Sequence, residues 1–206
     1  MTYLKKHYNK KYFDEWYRQP GRRVSTRNTA MRKAALVVGV TEYYLQRPVR
    51  TILDVGCGEG QWQPILKKMR PKIQYTGMDS STYAVAHFGK KRNLVLGEFN
   101  HPPPCVLSGS YDMIICSDIL YYLPDLVLEE GLKVLIPRLD GIAFLEAYAS
   151  DEPLTGDTQN MLKRSTLMYQ RLFKNLGLQP CGSHCYASPS LSGQVTTLEQ
   201  GSASPV

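Results

Sequence analysis

The residues best suited to chemistry lie in Ile52-Leu53-Asp54-Val55-Gly56-Cys57-Gly58-Glu59-Gly60. A short apolar run there gives way to alternating glycines and then to a helical pattern, the context a nucleotide-binding loop requires. Glycine in such a turn permits positive φ and lets a ligand come close to the backbone. A dinucleotide fingerprint of the form G-x-G-x-x-G would need a third glycine at 61, and that residue is Gln61. Asp54 would repel a pyrophosphate but suits a ligand carrying ammonium or sulfonium charge. A second acid follows 25 residues later in Met78-Asp79-Ser80, where a carboxylate can accept both hydroxyls of a ribose.

Positioning these acids requires strands that end beneath them. The apolar period alternates between strand and helix along the chain. Strands are predicted at 51–56, 73–78, 93–99, 111–116 and 141–148, and helices at 61–69, 80–90, 124–136 and 158–176. Pro71 and Pro137 stop two of these helices, Gly177 stops the last, and a serine caps the second. A loop with Pro102, Pro103 and Pro104 stands where another helix would otherwise fall. Two strand-like runs, 180–187 and 194–199, flank a Ser-Pro-Ser loop and read as a terminal hairpin. The alternation predicts an α/β fold: a Rossmann-like, doubly wound, seven-stranded sheet, mostly parallel, with an antiparallel hairpin strand at its C-terminal end.

These residues resemble the class I S-adenosylmethionine-dependent methyltransferases over about residues 51–149. The resemblance implies S-adenosyl-L-methionine as cofactor, with Asp54, Gly56, Cys57, Gly58 and Gly60 at its methionine end. It implies Asp79 and Ser80 at the ribose, and Glu98 and Phe99 at the adenine, where the family usually has Asp instead of Glu98. The run from Tyr111 to Pro124 is similar to the family's segment after the fourth strand and brings Ser117 and Tyr122 to the cofactor. Many members carry Glu-His where this chain has Tyr121-Tyr122. Tyr12-Phe13-Asp14-Glu15-Trp16-Tyr17 resembles the aromatic lid helix of small-molecule members, which makes Tyr12, Trp16 and Tyr17 lid residues.

Methyl transfer is an in-line displacement in which the cofactor carries the hard chemistry and the protein orients, desolvates and sometimes supplies a base. Three side chains are candidate catalytic groups. Tyr122 would hydrogen-bond the cofactor or orient a substrate, or else pack beneath the lid. Glu146 would act as a base if burial raises its pKa, or else pair with a nearby cation. His101, in the proline loop, would titrate near neutrality, or else stand solvated.

Charge sharpens the partner question. The chain has 206 residues and a net charge of +7, but residues 1–50 hold twelve Lys/Arg against three acids, so the rest sums to −2. Arg22, Arg23 and Arg27 suit a carboxylate or phosphate on a small acceptor, while the interleaved bases and aromatics also fit nucleic acid or a merely solvated face. Residues 1–50 are read as a helical lid segment, 51–199 as the methyltransferase domain and 200–206 as a flexible tail. Five cysteines without framework spacing read as reduced thiols, and Cys181, His184 and Cys185 on one strand could not all face a metal, so no metal is expected. The polar, basic start lacks the apolar stretch of a secretory leader, and no apolar run is long enough to span a bilayer, which points to a cytoplasmic enzyme. The expected function is methyl transfer to a small molecule of unknown identity. The alternatives are an RNA or protein methyltransferase and a catalytically silent, cofactor-binding partner subunit.

Overall fold

In the computed structural model, residues 7–19, 26–150, 152 and 157–195 are described. Near the N-terminus, a single turn of helix α1 (Lys10–Phe13) runs into a π-helical turn (Asp14–Arg18), and the long helix α2 (Arg27–Leu45) follows. Five strands come next: β1 (Thr51–Val55), β2 (Gln74–Asp79), β3 (Leu94–Leu96), β4 (Tyr111–Cys116) and β5 (Leu139–Leu145). Helices α3 (Trp62–Met69), α4 (Thr82–Arg92), the short α5 (Pro104–Leu107) and α6 (Asp125–Leu135) connect them. Helix α7 (Thr166–Asn175) leads into β6 (Gln179–Gly182) and β7 (Cys185–Ala187).

The seven strands form one sheet in the order β3-β2-β1-β4-β5-β7-β6. Strands β1 to β5 are mutually parallel, and β7 runs antiparallel to both of its neighbours. Successive side chains point opposite ways, and the central strands β1, β4 and β5 are buried on both faces because helices cover each side of the sheet. Ile52, Met113, Ile115, Ile142 and Phe144 pack with Val37 and Val38 of α2 and with Trp62 and Leu66 of α3. Leu53, Ile114, Cys116, Ala143 and Leu145 pack on the other face with Leu128 and Leu132 of α6 and with Tyr169 and Phe173 of α7.

The sequence reading needs three corrections. The terminal hairpin lies wholly within the predicted strand 180–187 and its immediate flank, because Ser183 and His184 take positive φ and turn the chain there. Of the predicted strand 194–199, Gln194 ends a 3-10 turn (Pro189–Gln194), and residues 196–199 lie outside the described residues, as does the predicted tail. The helix predicted at 158–176 starts only at Thr166. Ser165 caps it by accepting from the Met168 amide, and buried Arg164 is drawn across to α6. Arg164 donates to the Asp125 carboxylate at 2.8 Å and to the Leu120 carbonyl at 3.1 Å, which holds residues 157–165 as a loop against the segment between β4 and α6.

Candidate active site

In an open parallel sheet, ligands bind beyond the carboxyl ends of the strands where the strand order reverses. Here that point lies between β1, which starts the run toward β2 and β3, and β4, which starts the run toward β5. A cavity of about 740 Å³ opens there, within the usual range for small-molecule sites.

The turn after β1 forms its floor. Gly56, Gly58 and Gly60 all have positive φ, the left-handed region that strains other residues. Gly58 has a second reason to be glycine: a Cβ there would stand 2.3 Å from the Tyr17 hydroxyl. The Gly58 amide donates to Asp79 Oδ2 at 2.7 Å, and the Ser81 amide donates to Oδ1 at 2.8 Å. Asp79 therefore ties the β1 turn to the start of α4. Burial pushes its carboxyl above the usual range, although those two amides oppose the rise. Asp54, 2% exposed, accepts from the Tyr75 hydroxyl at 2.6 Å. Burial pushes its carboxyl up to about 7, with the Asp79 charge adding to the rise and the Tyr75 bond opposing it. Burial, then the charges of Asp54 and Asp79, hold the Cys57 thiol well above its ordinary pKa, so it stays neutral.

The N-terminal segment forms the roof. Phe13, 1% exposed, stacks on Tyr83 at 5.6 Å between ring centroids and meets Tyr17 edge-on at 4.9 Å. Ser81 Oγ donates to the Tyr8 carbonyl at 2.5 Å, and Arg18 pairs with Glu59 at 2.6 Å. These contacts fasten the segment to the two strand-end loops that hold Asp79 and the glycines. Tyr8 is pushed up to about 12 by burial and by the charges of Asp79 and Asp157. Burial likewise raises Tyr12 and Tyr122, so all three remain neutral phenols. Tyr122 donates its hydroxyl to the Asp157 carbonyl, which joins the loop before α7 to the rim.

Most of the sequence-predicted residues come together. Asp54, Gly56, Cys57, Gly58, Asp79, Ser80, Glu98, Phe99, Ser117 and Tyr122 line the cavity, as do Tyr12, Trp16 and Tyr17. Four do not. Gly60 turns toward β3, where a Cβ would meet Leu94 at 2.8 Å. His101 is exposed and forms an isolated bridge with Glu98. Arg27 is exposed at the start of α2. Glu146, 1% exposed, sits behind the lining in an ion pair with Lys33 at 2.6 Å. It also accepts from Ser117 Oγ at 2.6 Å and from the Tyr148 hydroxyl at 2.9 Å. Burial alone would raise the Glu146 carboxyl, but Lys33 and these two donors outweigh it and hold the group below its ordinary value, which is the wrong direction for a base. Arg22 and Arg23 lie outside the described residues.

Sequence reasoning missed Ser81, Tyr83 and Asn160, which also line the cavity, gave Tyr8 no site role, and held Asp118 only within the run from Tyr111 to Pro124. Asp118 was within sight, as the acid two residues past β4. Asn160 carried no signal, because the loop that holds it reads as helix.

The turn, the two acids and the switch point define a nucleotide-cofactor site in a Rossmann-like fold. A family described as a methyltransferase domain matches residues 24–189, and the chain belongs to that family, the class I S-adenosylmethionine-dependent methyltransferases. The chain is 32% identical over 80 residues to trans-aconitate 2-methyltransferase of Deinococcus radiodurans. That match covers 39% of this chain and 31% of the relative, so the chain spans about a third of that protein. Among solved structures, magnesium protoporphyrin IX methyltransferase (ChlM) from Synechocystis PCC 6803 with bound SAH aligns at 17% identity and a TM-score of 0.57, covering 87% of this chain and 93% of that one. DesVI of Streptomyces venezuelae aligns at 15% identity and a TM-score of 0.60, covering 79% and 91%. At such identities the structural likeness is one of fold. Among the described residues, no helix is long and apolar enough to cross a membrane.

Proposed function

We propose that the protein transfers a methyl group from S-adenosyl-L-methionine to a small-molecule acceptor. The observation that carries this reading is the convergence of Asp54, the Gly56–Gly58 turn and Asp79 on one cavity closed by aromatics. The residues fit the cofactor chemically. Asp54 offers a carboxylate to the amino-acid end, and Asp79 has lone pairs left for ribose hydroxyls after its two amide bonds. Met78 and Phe99 provide apolar walls for a purine, with Glu98 at its edge. When bound, the cofactor supplies an activated sulfonium methyl.

The chain's own residues bind, orient and exclude water. Gly58 lets the backbone come close to the ligand, and the phenols of Tyr8, Tyr12 and Tyr17 shield it from solvent. Ile119 packs over Gly56 and shapes the floor where the strand-four loop meets the turn. The acceptor would enter beside Ser117, Asp118 and Tyr122. The cavity has room for a cofactor and a modest acceptor, which favours a small molecule over a macromolecular one. The N-terminal segment serves as the lid in this reading, and residues 51–199 as the methyltransferase domain.

Calorimetry with S-adenosylhomocysteine tests the assignment. Asp79→Ala removes both the ribose acceptor and the link between Gly58 and Ser81, and affinity should fall at least about a hundredfold, as for loss of charged hydrogen bonds. Unchanged affinity would sink the reading. Label transfer from the cofactor into a pool of metabolites then separates an active enzyme from a silent subunit, and label in RNA or protein would identify a macromolecular acceptor.

A further inference from the structure

We propose that the acceptor is a cationic amine and that Asp118 binds its ammonium group and takes the proton that must leave before methyl transfer. This deepens the methyltransferase reading above and rests on it.

Four lining residues are acids, Asp54, Asp79, Glu98 and Asp118, and among the described lining residues there is no Lys or Arg. The first three face the positions the cofactor would fill. Asp118 does not: it lies past β4, beside Ser117 and Tyr122, where the acceptor must approach. Its side chain is 25% exposed, so it is reachable from the cavity yet largely desolvated.

Each neighbouring element contributes a charged or titratable group to Asp118. From α2, Lys33 binds Glu146 at 2.6 Å but reaches Asp118 only at 3.7 Å. From the turn before α6, Tyr121 donates to Asp118 Oδ1 at 3.2 Å, and Tyr122 stands next to it. From the end of β5 come Glu146 and Tyr148. One ammonium thus serves two carboxylates, and it serves Glu146 first. Burial and the Glu146 charge push the Asp118 carboxyl up, against the opposing pull of Lys33 and Tyr121. A partly compensated carboxylate of raised basicity attracts a cation and can hold its proton.

The aromatic lining points the same way. Tyr8, Tyr12, Trp16 and Tyr122 are among the residues that line the cavity, Tyr122 within the field of Asp118, and ring faces attract cations. An acceptor carboxylate or phosphate, the chemistry that the basic N-terminal residues suggest, would meet Asp118 without a described cavity-lining cation to offset it. In the transfer, the ammonium R–NH3⁺ gives one proton to Asp118. The freed nitrogen lone pair forms the N–CH3 bond while the C–S pair returns to sulfur. The products are R–NH2⁺–CH3 and the neutral thioether, and Asp118 then releases its proton to water.

The test needs no knowledge of the acceptor. Sinefungin is a cofactor analogue with an amine where the sulfonium methyl stands, so it places a cation at the acceptor end. S-adenosylhomocysteine lacks that group. Calorimetry on the full chain should show sinefungin binding at least about tenfold tighter than S-adenosylhomocysteine, the scale of one charge-assisted hydrogen bond. Asp118→Asn should remove most of that advantage while leaving S-adenosylhomocysteine affinity within about twofold. Asparagine also tolerates the positive φ of 58° at this position, so the variant keeps the loop. In the wild type, the advantage should shrink as falling pH protonates Asp118. If S-adenosylhomocysteine binds but the advantage is absent, or persists in Asp118→Asn, the proposal is overturned and the methyltransferase reading stands. If neither compound binds, both fall.

Discussion

Asp54 shows at the scale of one residue how the lining of a cavity works against the fold that holds it. Its carboxyl is buried and pushed up to about 7, so the folded protein favours the protonated form. The sign follows directly. With the folded pKa above the unfolded value, stability from this group is present below the unfolded pKa and is lost as pH rises through the folded one. A ligand ammonium beside Asp54 reverses the preference, because it stabilises the carboxylate. Binding of S-adenosylhomocysteine should therefore release a proton near and below pH 7, and affinity should fall toward about tenfold per unit well below that pH. Calorimetry in buffers of different ionisation enthalpy measures the proton directly. Tyr75→Phe removes the bond that holds the Asp54 pKa down, so it should move the break in affinity to higher pH. Equal affinity at pH 6 and pH 8, with no proton released, would show that the ammonium does not sit beside Asp54.

The next scale up is the element, and α1 is a single turn that would not persist alone, since helix nucleation is costly. Asn9 caps it, and Phe13, Tyr17 and Arg18 dock it on the loops after β1 and β2. Its order thus depends on the same residues that would hold the cofactor. Phe13→Ala removes a fully buried ring, a change worth about 3–5 kcal/mol in a core that unfolds as one unit. Here the loss is limited by the free energy of peeling off the segment alone. The urea midpoint should therefore change little, while S-adenosylhomocysteine affinity falls about tenfold or more. A large shift of the midpoint with affinity unchanged would show that the segment belongs to the core instead of the site. Elements were also where the sequence was most legible. β1, β2 and β4 are legible as short strand-like segments alternating with helical patterns, and their ends carry Asp54, Asp79 and Ser117 to the cavity. The late start of α7 was hidden, because the pull of Asp125 on Arg164 spans 39 residues and leaves no local pattern. The link from Lys33 to Glu146 spans 113 residues and was hidden for the same reason. Local periodicity reports strands and helices, whereas long-range ion pairs decide which acid faces the cavity and which is neutralised behind it.

Across the whole molecule, the cavity draws on the loops after β1, β2, β3 and β4, on the N-terminal segment and on the loop before α7. No single element owns it. A ligand that fills it would couple the half of the sheet that runs toward β3 with the half that runs toward β5, because the strand order divides between β1 and β4. The +9 charge of the first fifty residues takes a different meaning in this frame. Lys33 is spent on Glu146, Arg18 on Glu59 and Arg47 on Asp112, so three of the twelve cations there clamp the N-terminal segment to acids of the sheet and its loops. Ligand binding should then stabilise the protein as a unit. At a concentration one hundred times its Kd, S-adenosylhomocysteine should add about 2.7 kcal/mol, which for a chain of this size raises the Tm by about 5–10 °C. A single sharper transition is expected in calorimetric melting, with the shift abolished in Asp79→Ala and reduced in Phe13→Ala. Two separated transitions in the presence of ligand would mean that the two halves of the sheet melt apart and that the site does not couple them.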